Sequence, residues 1–302
     1  MVNEYDIIVI GAGSAGMSAA IYAHRFGLKT LLVGKVVGGL LNDSHKVENY
    51  PGFTAISGFD LMMKFKEHVD SFGIETKEEF ATNVVKSGDE FTVTTENGEY
   101  RAKAVVLTLG TKHRHLGIPG EEKLQGRGVS YCATCDGAFF KNVPVAVVGG
   151  GDSAAQAALL LAQHASQVYI LVRKDAMRAE PINRQRLEHT KNVTILYKTE
   201  AKEVLGENGV EGVKLTTPFN GSDVLKVEGF FVETGAEVQN ELAIKLGVTL
   251  NERKELIVDE HARTNIKNVY AAGDCTSSKY KQAITGAAGG VIAAYSAFED
   301  LR

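Results

Sequence analysis

The sequence predicts an α/β protein built from two Rossmann-like, dinucleotide-binding folds, and two observations lead to this prediction. The pattern of buried strand, glycine-rich turn and helix occurs twice, at residues 5–24 and 143–164. The chain has 302 residues, of which 44% are hydrophobic and 23% charged. This size and composition suit about two globular domains.

The first unit begins with an apolar run at residues 5–10, which is typical of a buried strand. A G-x-G-x-x-G motif follows at residues 11–16, and a helix-forming segment covers residues 17–24. The first glycine allows the tight turn, the second lets the backbone approach a pyrophosphate, and the third lets the helix pack on the strand. A second apolar run at residues 30–33 completes a βαβ unit.

The same pattern returns after residue 143. A predicted strand at 143–148 leads into G-x-G-x-x-A at 149–154, a predicted helix at 155–164 and a strand at 168–172. One such motif can be a chance glycine-rich turn. Two motifs in full context favour two dinucleotide-binding folds.

Alternating apolar and polar residues at 90–95 and 211–217 predict small additional sheets. The segments 105–110 and 229–235 each end in glycine at similar offsets after the two motifs, so we interpret them as crossings between the folds.

Another predicted strand, at residues 269–274, ends in Gly-Asp and precedes a small-residue helix at 282–297. A carboxylate at such a strand end is well placed to bind the hydroxyl groups of a ligand.

The charges of the chain argue against nucleic acid or membrane as a partner. Lys and Arg total 33 and Asp and Glu total 37, which gives a net charge of −4 without any basic block. No apolar run approaches the ~20 residues that span a bilayer. The first apolar run begins without a basic signal-peptide region, which predicts a cytoplasmic protein.

Two of the three cysteines, Cys132 and Cys135, form a C-x-x-C motif, which in a reducing compartment suggests redox or metal chemistry. A zinc site needs four ligands, and the sequence has no second C-x-x-C or H-x₃₋₅-H motif, so we favour redox chemistry and expect no metal. His113 and His115 are interpreted as a solvated linker rather than metal ligands. Cys275 is interpreted as a small buried residue, with a third redox thiol as the alternative.

Several motifs together resemble one known family. They are GAGSAG at 11–16, GG at 38–39, VENYPG at 47–52, CATCD at 132–136, GGGDSA at 149–154, VRKDAMR at 172–178, AAGDC at 271–275 and KQA at 281–283. Over nearly the whole chain they are similar to the low-molecular-weight thioredoxin reductases, which are flavoprotein disulfide reductases with two dinucleotide domains.

The resemblance implies that the second fold is inserted in the first, in the three-layer ββα arrangement of FAD- and NAD(P)-binding domains. The FAD domain would comprise residues 1–112 and 243–302, and the nicotinamide domain with the C-x-x-C motif would comprise 113–242. The strand at 269–274 agrees, because it has no glycine motif of its own and must complete an earlier sheet. The crossings would form a hinge, on which the inserted domain rotates to present nicotinamide and then disulfide to the flavin.

The resemblance also implies the activity of an NADPH-dependent thioredoxin-disulfide reductase with FAD, acting on thioredoxin or a glutaredoxin-like dithiol protein as a homodimer. Cys135 would face the flavin, Cys132 would attack the substrate disulfide, and Asp136 would be the acid/base, although Asp136 could also cap a helix. Two alternatives stay open: a related flavoenzyme that takes electrons from ferredoxin, a deazaflavin or NADH, and a flavin-binding redox sensor.

The nicotinamide preference follows from comparing the two motifs. A carboxylate that selects NAD lies ~20 residues beyond the glycines. Twenty-three positions after the first glycine of each motif stand Gly34 and Val172, and neither is acidic. Residues 173–178 carry three basic side chains, which form either a solvated turn or a site for a 2′-phosphate. The resemblance favours the phosphate site and NADPH.

Three positions depart from the family pattern. Leu40 stands where the family usually has Gln near the flavin, Val172 where it has His, and Gln239 where it often has Pro. We expect these changes to affect flavin potential, cofactor preference and crossing geometry, and to leave the disulfide chemistry intact.

The resemblance assigns cofactor-binding residues to both folds. In the first fold they are Gly11, Gly13, Ser14, Ala15, Gly16, Gly34, Gly38, Gly39, Leu40, Leu41, Asn49, Gly273, Asp274, Lys281, Gln282 and Ala283. In the second fold they are Gly149, Gly151, Asp152, Ser153, Ala154, Arg173, Lys174 and Arg178.

Overall fold

A computed structural model describes residues 3–302. By its contacts the chain divides into two compact units. The first comprises Met1–Asn42, Val47–Lys112 and Val238–Arg302, and the second comprises Asp43–Lys46 and His113–Glu237.

The helices and strands are numbered along the chain. The first part contains β1 Asn3–Ile10, α1 Ser14–Arg25, β2 Thr30–Val33, α2 Gly58–Ser71, β3 Glu75–Lys77, β4 Ala81–Ser87, β5 Glu90–Thr95, β6 Glu99–Leu107 and β7 Thr111–His113. The middle part contains β8 Val129–Ser130, α3 Ala133–Asp136, β9 Pro144–Val148, α4 Asp152–Leu161, β10 Gln167–Val172, α5 Pro181–Glu188, β11 Val193–Tyr197, β12 Ala201–Leu205, β13 Gly212–Phe219, β14 Ser222–Leu225, β15 Gly229–Val232 and β16 Ala236–Val238. The last part contains α6 Glu241–Leu246, β17 Val269–Ala271 and α7 Ala283–Asp300.

The first unit is organised around a seven-stranded sheet in the order β3-β2-β1-β6-β5-β4, in which β17 also pairs with β6. The strands β3, β2, β1, β6 and β17 run parallel, and β5 and β4 continue antiparallel. One edge of β6 is shared, because β5 pairs with its first half and β17 with its second. The strand from the C-terminal segment therefore completes the sheet begun at the N-terminus.

The two faces of β1 explain the layers of this unit. Side chains alternate along a strand, and Ile7 and Val9 belong to the core cluster that includes residues of α1 and α7. Ile8 and Ile10 belong to a second cluster with Val93 and other residues of the antiparallel strands. The parallel sheet thus lies between a helical layer and a β layer.

The second unit repeats this arrangement. Its five-stranded parallel sheet has the order β11-β10-β9-β15-β8, and a separate antiparallel sheet contains β12-β13-β14. Val145 and Val147 pack with residues of α4, whereas Ala146 and Val148 pack with residues of the antiparallel sheet. The predicted α/β class with two dinucleotide-type folds is confirmed.

The crossings lie in β7 and β16, which pair with each other. Gln239, the residue that replaces a common Pro, donates from its side-chain amide to the carbonyls of Leu109 and Thr111, 3.1 Å away in each case. Its backbone N–H also donates to the Gly110 carbonyl. Proline lacks that N–H, so the substitution adds hydrogen bonds beside the first crossing.

Most differences from the predicted elements concern their ends. The helix predicted to reach residue 164 ends at Leu161, where the N–H groups of Gln163 and His164 turn to carbonyls three residues back. The strand predicted at residues 105–110 is the end of a longer strand, β6. Within residues 3–302, no helix is both long and apolar enough to cross a bilayer.

Candidate functional site

The first glycine turn joins β1 to α1. Gly11 has a φ of +113°, and a Cβ placed there would lie 2.0 Å from the Thr108 carbonyl oxygen. A Cβ at Gly16 would lie 1.7 Å from the Gly11 carbonyl oxygen. Both positions therefore need glycine, the first for conformation as well as space. Gly13 differs, because its Cβ would meet nothing closer than 4.0 Å.

Both helices that follow the glycine turns begin without a side-chain cap. Gly13 precedes α1 and Gly151 precedes α4, and neither helix start has a side-chain hydrogen bond. In contrast, α2 is capped by Ser57, the residue before its first turn, whose hydroxyl accepts from the Asp60 N–H. The open space at Gly13 and Gly151 leaves the helix N-termini accessible to an anion. This fits a pyrophosphate at each turn.

Two other residues predicted to bind FAD, Gly38 and Gly273, converge on the first turn together with Gly286, which was not predicted. The Gly38 N–H donates to the Ala12 carbonyl, 2.8 Å away. A Cβ at Gly273, after β17, would lie 3.0 Å from the Ala15 Cβ. A Cβ at Gly286, in the first turn of α7, would lie 3.1 Å from the Ser14 hydroxyl. The glycine motif, the GG pair and the Gly-Asp strand end therefore meet within the first unit.

The structure also joins Asn49 and Gln282, which are far apart in sequence. The Asn49 side-chain amide donates to the Gln282 side-chain oxygen at 3.1 Å. Gln282 caps α7, which Ala283 begins. The VENYPG and KQA motifs thus contribute to one place in the first unit.

Asp274 lies partly buried beside a small cavity lined by Gly273, Asp274, Lys281 and Gly286, among others. Burial raises the pKa of the Asp274 carboxyl above its usual value, and the Lys281 charge opposes this shift. Lys281 donates to the Asp274 backbone oxygen at 3.0 Å and pairs with the Glu255 carboxylate. Sequence reasoning missed Glu255, since no motif marks it.

Gly34 and the 3-10 helix Gly39–Asp43 lie in the same unit up to residue 42. A Cβ at Gly34 would lie 2.6 Å from the Ala12 nitrogen, so an acidic side chain is sterically excluded there. Leu41 packs against the helical core cluster, and Leu40 is partly buried. The departure at Leu40 therefore adds an apolar side chain to this turn.

The second glycine turn joins β9 to α4. Gly149 has a φ of +152°, and its Cβ would lie 2.2 Å from the Glu233 carbonyl oxygen. Ala154 is fully buried, and Ser153 is exposed at the start of α4. The Asp152 carboxylate accepts from the Glu180 N–H and the Asn183 side-chain amide, both at 2.8 Å. Asp152 therefore holds the start of α5 against this turn.

The basic segment lies next to the second turn. Arg173 and Lys174 are exposed directly after β10, while Val172 is buried at its end. Arg178 is also exposed, and its backbone N–H donates to the Gly150 carbonyl at 2.6 Å. Three cations thus stand at the edge of the second glycine turn, where guanidinium and ammonium groups can pair with a phosphate.

Cys132 and Cys135 are joined by a disulfide, with their Cα atoms 5.3 Å apart. The Cys132 N–H donates to the Ser130 hydroxyl at 3.0 Å, and the Cys135 N–H donates to the Cys132 Sγ at 3.1 Å. Cys135 is exposed, whereas Cys132 and Asp136 are partly buried. The pairing makes the second unit chemically able to accept two electrons.

The residue before the disulfide is held by a buried carboxylate. Tyr131 donates to Glu121 at 2.7 Å, and Glu121 also accepts from the Leu116 and Gly117 N–H groups. Burial alone would raise the pKa of Glu121, but these hydrogen bonds lower it below the usual value. His115 is exposed and its Nδ1 lies 2.7 Å from the Tyr131 hydroxyl.

Two further groups near the disulfide were missed as site residues. Asp43 belongs by its contacts to the second unit, and its Oδ2 lies 2.9 Å from the His113 Nε2. The interpretation of His113 as a solvated linker is therefore wrong, since it lies partly buried in a strand with a charged partner. A pattern of single Asp and His residues seventy positions apart offers no local signal for this pairing.

Cys275 is fully buried in a core cluster of the first unit. Burial raises the pKa of its thiol to about 11. A neutral, enclosed thiol is a poor nucleophile, which fits the interpretation as a packing residue.

Comparisons with known proteins agree with this arrangement. The family model described as pyridine nucleotide-disulphide oxidoreductase matches residues 5–290. The chain is 39% identical over 296 residues to a protein named thioredoxin reductase from Listeria innocua, covering 97% of this chain and 92% of the relative.

Two solved structures are similar throughout. Lactococcus lactis thioredoxin reductase has a TM-score of 0.94 and 37% identity, with coverage of 98% of this chain and 99% of that one. Thioredoxin reductase from T. acidophilum has a TM-score of 0.94 and 34% identity, with coverage of 99% of each chain. The chain therefore belongs to the pyridine nucleotide-disulphide oxidoreductase family.

Proposed function

We propose that this protein is an NADPH-dependent thioredoxin-disulfide reductase. Electrons would pass from NADPH through FAD to the Cys132–Cys135 disulfide, and then to a disulfide in thioredoxin or a thioredoxin-like dithiol protein. The observation that carries the proposal is the disulfide itself, which lies in the same unit as a complete second glycine turn. The names of the relatives, which are thioredoxin reductases, support the same activity.

FAD is assigned to the first unit. The N–H groups at the start of α1 would bind its pyrophosphate, and Gly38, Gly39, Leu40, Leu41 and Asn49 would surround the rest of the molecule with Gly273, Asp274, Lys281, Gln282 and Ala283. Asp274 would accept hydrogen bonds from the ribityl hydroxyls. When bound, FAD supplies the ability to accept a hydride and to pass two electrons to a disulfide.

NADPH is assigned to the second unit. The N–H groups at the start of α4 would bind its pyrophosphate, and Arg173, Lys174 and Arg178 would bind the 2′-phosphate. Asp152 would contribute to NADPH binding indirectly, because its carboxylate accepts hydrogen bonds from the residues that begin α5 and so fixes that segment beside the glycine turn. We place the FAD domain at residues 1–112 and 243–302 and the nicotinamide domain at 113–242.

The disulfide chemistry belongs to the chain. Two electrons and one proton break the Cys132–Cys135 bond and give a thiol and a thiolate. Cys132 would then attack the substrate disulfide and form a mixed disulfide. Cys135 would attack the Cys132 sulfur of that bond, which reforms the enzyme disulfide and releases the substrate dithiol. Asp136 is proposed to move the proton in this exchange. Homodimeric assembly and a cytoplasmic location are also proposed, to be checked by light scattering and by cell fractionation.

The proposal is tested by insulin reduction coupled to added thioredoxins, with NADPH, NADH and reduced ferredoxin compared as electron donors. We expect turnover with NADPH, weaker turnover with NADH and none with ferredoxin alone. Turnover only with ferredoxin or a deazaflavin would move the donor assignment to that alternative. Flavin reduction without turnover on any disulfide protein would instead favour a redox sensor.

A further inference from the structure

A carboxylate other than Asp136 lies at the disulfide of the second unit. One ligand-type oxygen of Asp43 and the Sγ atoms of Cys132 and Cys135 all lie within 4.8 Å of one another. The backbone carbonyl of Asp43 accepts a hydrogen bond from the Thr134 hydroxyl at 2.7 Å, and Thr134 lies between the two cysteines. This bond fixes the Asp43 backbone beside the residues that undergo the redox reaction.

The Asp43 carboxylate is also hydrogen-bonded to a histidine. Its Oδ2 lies 2.9 Å from the His113 Nε2, and both side chains are about 30% exposed. The hydrogen bond with Asp43 raises the pKa of His113 above its usual value, because the carboxylate stabilises the imidazolium. The carboxylate therefore lies within 4.8 Å of both sulfurs and in hydrogen-bond contact with an imidazole, a placement from which it can pass a proton between them.

We propose that Asp43 and His113 form a second acid/base pair for the Cys132–Cys135 disulfide. This inference rests on the proposed function, which supplies the two electrons. When these break the S–S bond, one sulfur remains a thiolate and the other takes a proton from the Asp43 carboxyl. Asp43 receives that proton from the His113 imidazolium, which is left neutral and recovers a proton from water. On reoxidation by a substrate disulfide, the thiol proton passes to the Asp43 carboxylate and from there to the departing substrate thiolate, so that His113 keeps the proton it took from water.

Other titratable groups face this pair. Glu233, directly after β15, interacts electrostatically with both His113 and Asp43. The Tyr131 ring centroid lies 6.0 Å from that of His113, and Asp136 follows Cys135 in the chain. Glu233 favours the imidazolium, as Asp43 does. The Asp43 carboxylate is the group placed with both sulfurs, and the test is therefore directed at it.

Substitution of Asp43 and substitution of His113 should shift the pKa of the Cys132 thiol in opposite directions. A unit charge ~5 Å from a partly exposed thiol shifts its pKa by about one unit. Asp43→Asn removes a negative charge and should lower the Cys132 thiol pKa by about one unit. His113→Gln removes a positive charge, leaves the carboxylate unpaired, and should raise that pKa by a smaller amount. If the two residues had a purely structural role, the two variants would not shift the thiol pKa in opposite directions.

The thiol pKa is measured in a Cys135→Ser background, from the pH dependence of iodoacetamide alkylation of Cys132. This assay needs neither NADPH nor thioredoxin, so it can fail independently of the proposed function. Asp223→Asn and His189→Gln are matched controls, because both residues are exposed in the second unit. We expect the control variants to match the background protein. Shifts of the same sign for Asp43→Asn and His113→Gln, or no shift in either, would overturn the pair.

A second measurement addresses proton transfer with both cysteines present. Asp43→Asn should slow reduction of the Cys132–Cys135 disulfide about a hundredfold, the lower end of what a positioned acid/base contributes, and leave the preceding flavin reduction unchanged. Asp43→Glu should recover most of the rate, because it restores a carboxylate. An unchanged rate in Asp43→Asn would show that the carboxylate does not handle the proton and would overturn the proposal.

Discussion

The two glycine turns make the same close backbone approach but have different surroundings. A Cβ at Gly11 would collide with the Thr108 carbonyl, and a Cβ at Gly149 with the Glu233 carbonyl, at 2.0 and 2.2 Å. These carbonyls belong to equivalent residues, each directly after the strand that pairs with the strand leading into the turn. The shared geometry is set by backbone packing, so the different tasks of the units must come from other side chains.

The side chains that surround the two glycine turns differ in size and charge. In the first unit Thr108 donates its hydroxyl to the Ile10 carbonyl, and Gly16 allows α1 to approach Gly11 closely. The corresponding residues in the second unit are the titratable Glu233 and the larger Ala154. Beyond the second strand, the first unit has Gly34 pressed on the turn, whereas the second has exposed cations. The first turn is closed tightly, and the second carries charge.

The cysteines distinguish the units most strongly. Cys132→Ser and Cys135→Ser should each abolish disulfide reductase turnover, because neither variant can form the disulfide. Flavin reduction by NADPH should persist in both, since hydride transfer precedes disulfide exchange. Anaerobic absorbance spectroscopy and the insulin assay measure the two steps separately.

The same variants test the roles of the sulfurs. A thiolate-to-flavin charge-transfer band should appear in Cys132→Ser, where Cys135 remains, and not in Cys135→Ser. The reverse pattern would exchange the roles assigned to the two cysteines.

Gly13→Val and Gly151→Val compare the cofactor tasks of the turns. Both positions have negative φ and open space, so valine should fold and block only the ligand. Gly13→Val should give colourless protein. Gly151→Val should keep its FAD and lose reduction by NADPH. Absorbance of the purified proteins and circular dichroism test this pair, and equal FAD content in the two variants would refute the division of tasks.

The basic segment should determine which nicotinamide is used. Each charge-assisted hydrogen bond contributes roughly 1.5–3 kcal/mol. Arg173→Ala combined with Lys174→Ala should therefore raise the Michaelis constant for NADPH by about two orders of magnitude. The value for NADH should scarcely change. Steady-state kinetics with both nucleotides measure the two Michaelis constants. An equal rise for NADPH and NADH would show that the segment is a solvated turn and not a 2′-phosphate site.

The smallest expected effect is a pH-dependent change in stability on substitution of Glu233. Burial raises its pKa from 4.5 to about 7, while the His113 charge opposes the shift and the Asp43 charge adds to it. The folded protein therefore holds this proton more tightly than the unfolded chain. Its stabilising effect is present at low pH and is lost as pH rises through about 7.

Glu233→Gln should consequently raise the melting temperature by a few degrees at pH 8 and much less at pH 5. The matched control is Glu207→Gln, since Glu207 is exposed in the same unit. Thermal unfolding followed by circular dichroism measures the difference. A gain for Glu233→Gln that is the same at both pH values would contradict the raised pKa.

Periodicity and glycine spacing were sufficient to predict the folds. Both βαβ units are confirmed, because buried strands and glycine turns are encoded within about thirty consecutive residues. The ends of α4 and β6 were less predictable, since they depend on local hydrogen bonds and strand pairing. The disulfide partners lie three positions apart in sequence and were apparent from the motif.

Contacts between distant segments were not predictable in the same way. Asn49 and Gln282 were each assigned from a motif, but their hydrogen bond is visible only in the folded chain. Asp43 and His113 carry no motif, and Glu255 becomes notable only through Lys281. A single sequence does not reveal such long-range polar pairs, because their chemistry arises after the backbone has folded.

Anaerobic titration with NADPH tests the central claim most directly, because it counts the electrons that each unit accepts. The wild-type protein should consume about two equivalents per chain, since flavin and disulfide each take two electrons. The double variant Cys132→Ser/Cys135→Ser should consume about one, with the same loss of flavin absorbance. Equal consumption by the two proteins would contradict electron transfer to the disulfide, and a flavin that NADPH leaves oxidised in both would contradict the assigned donor.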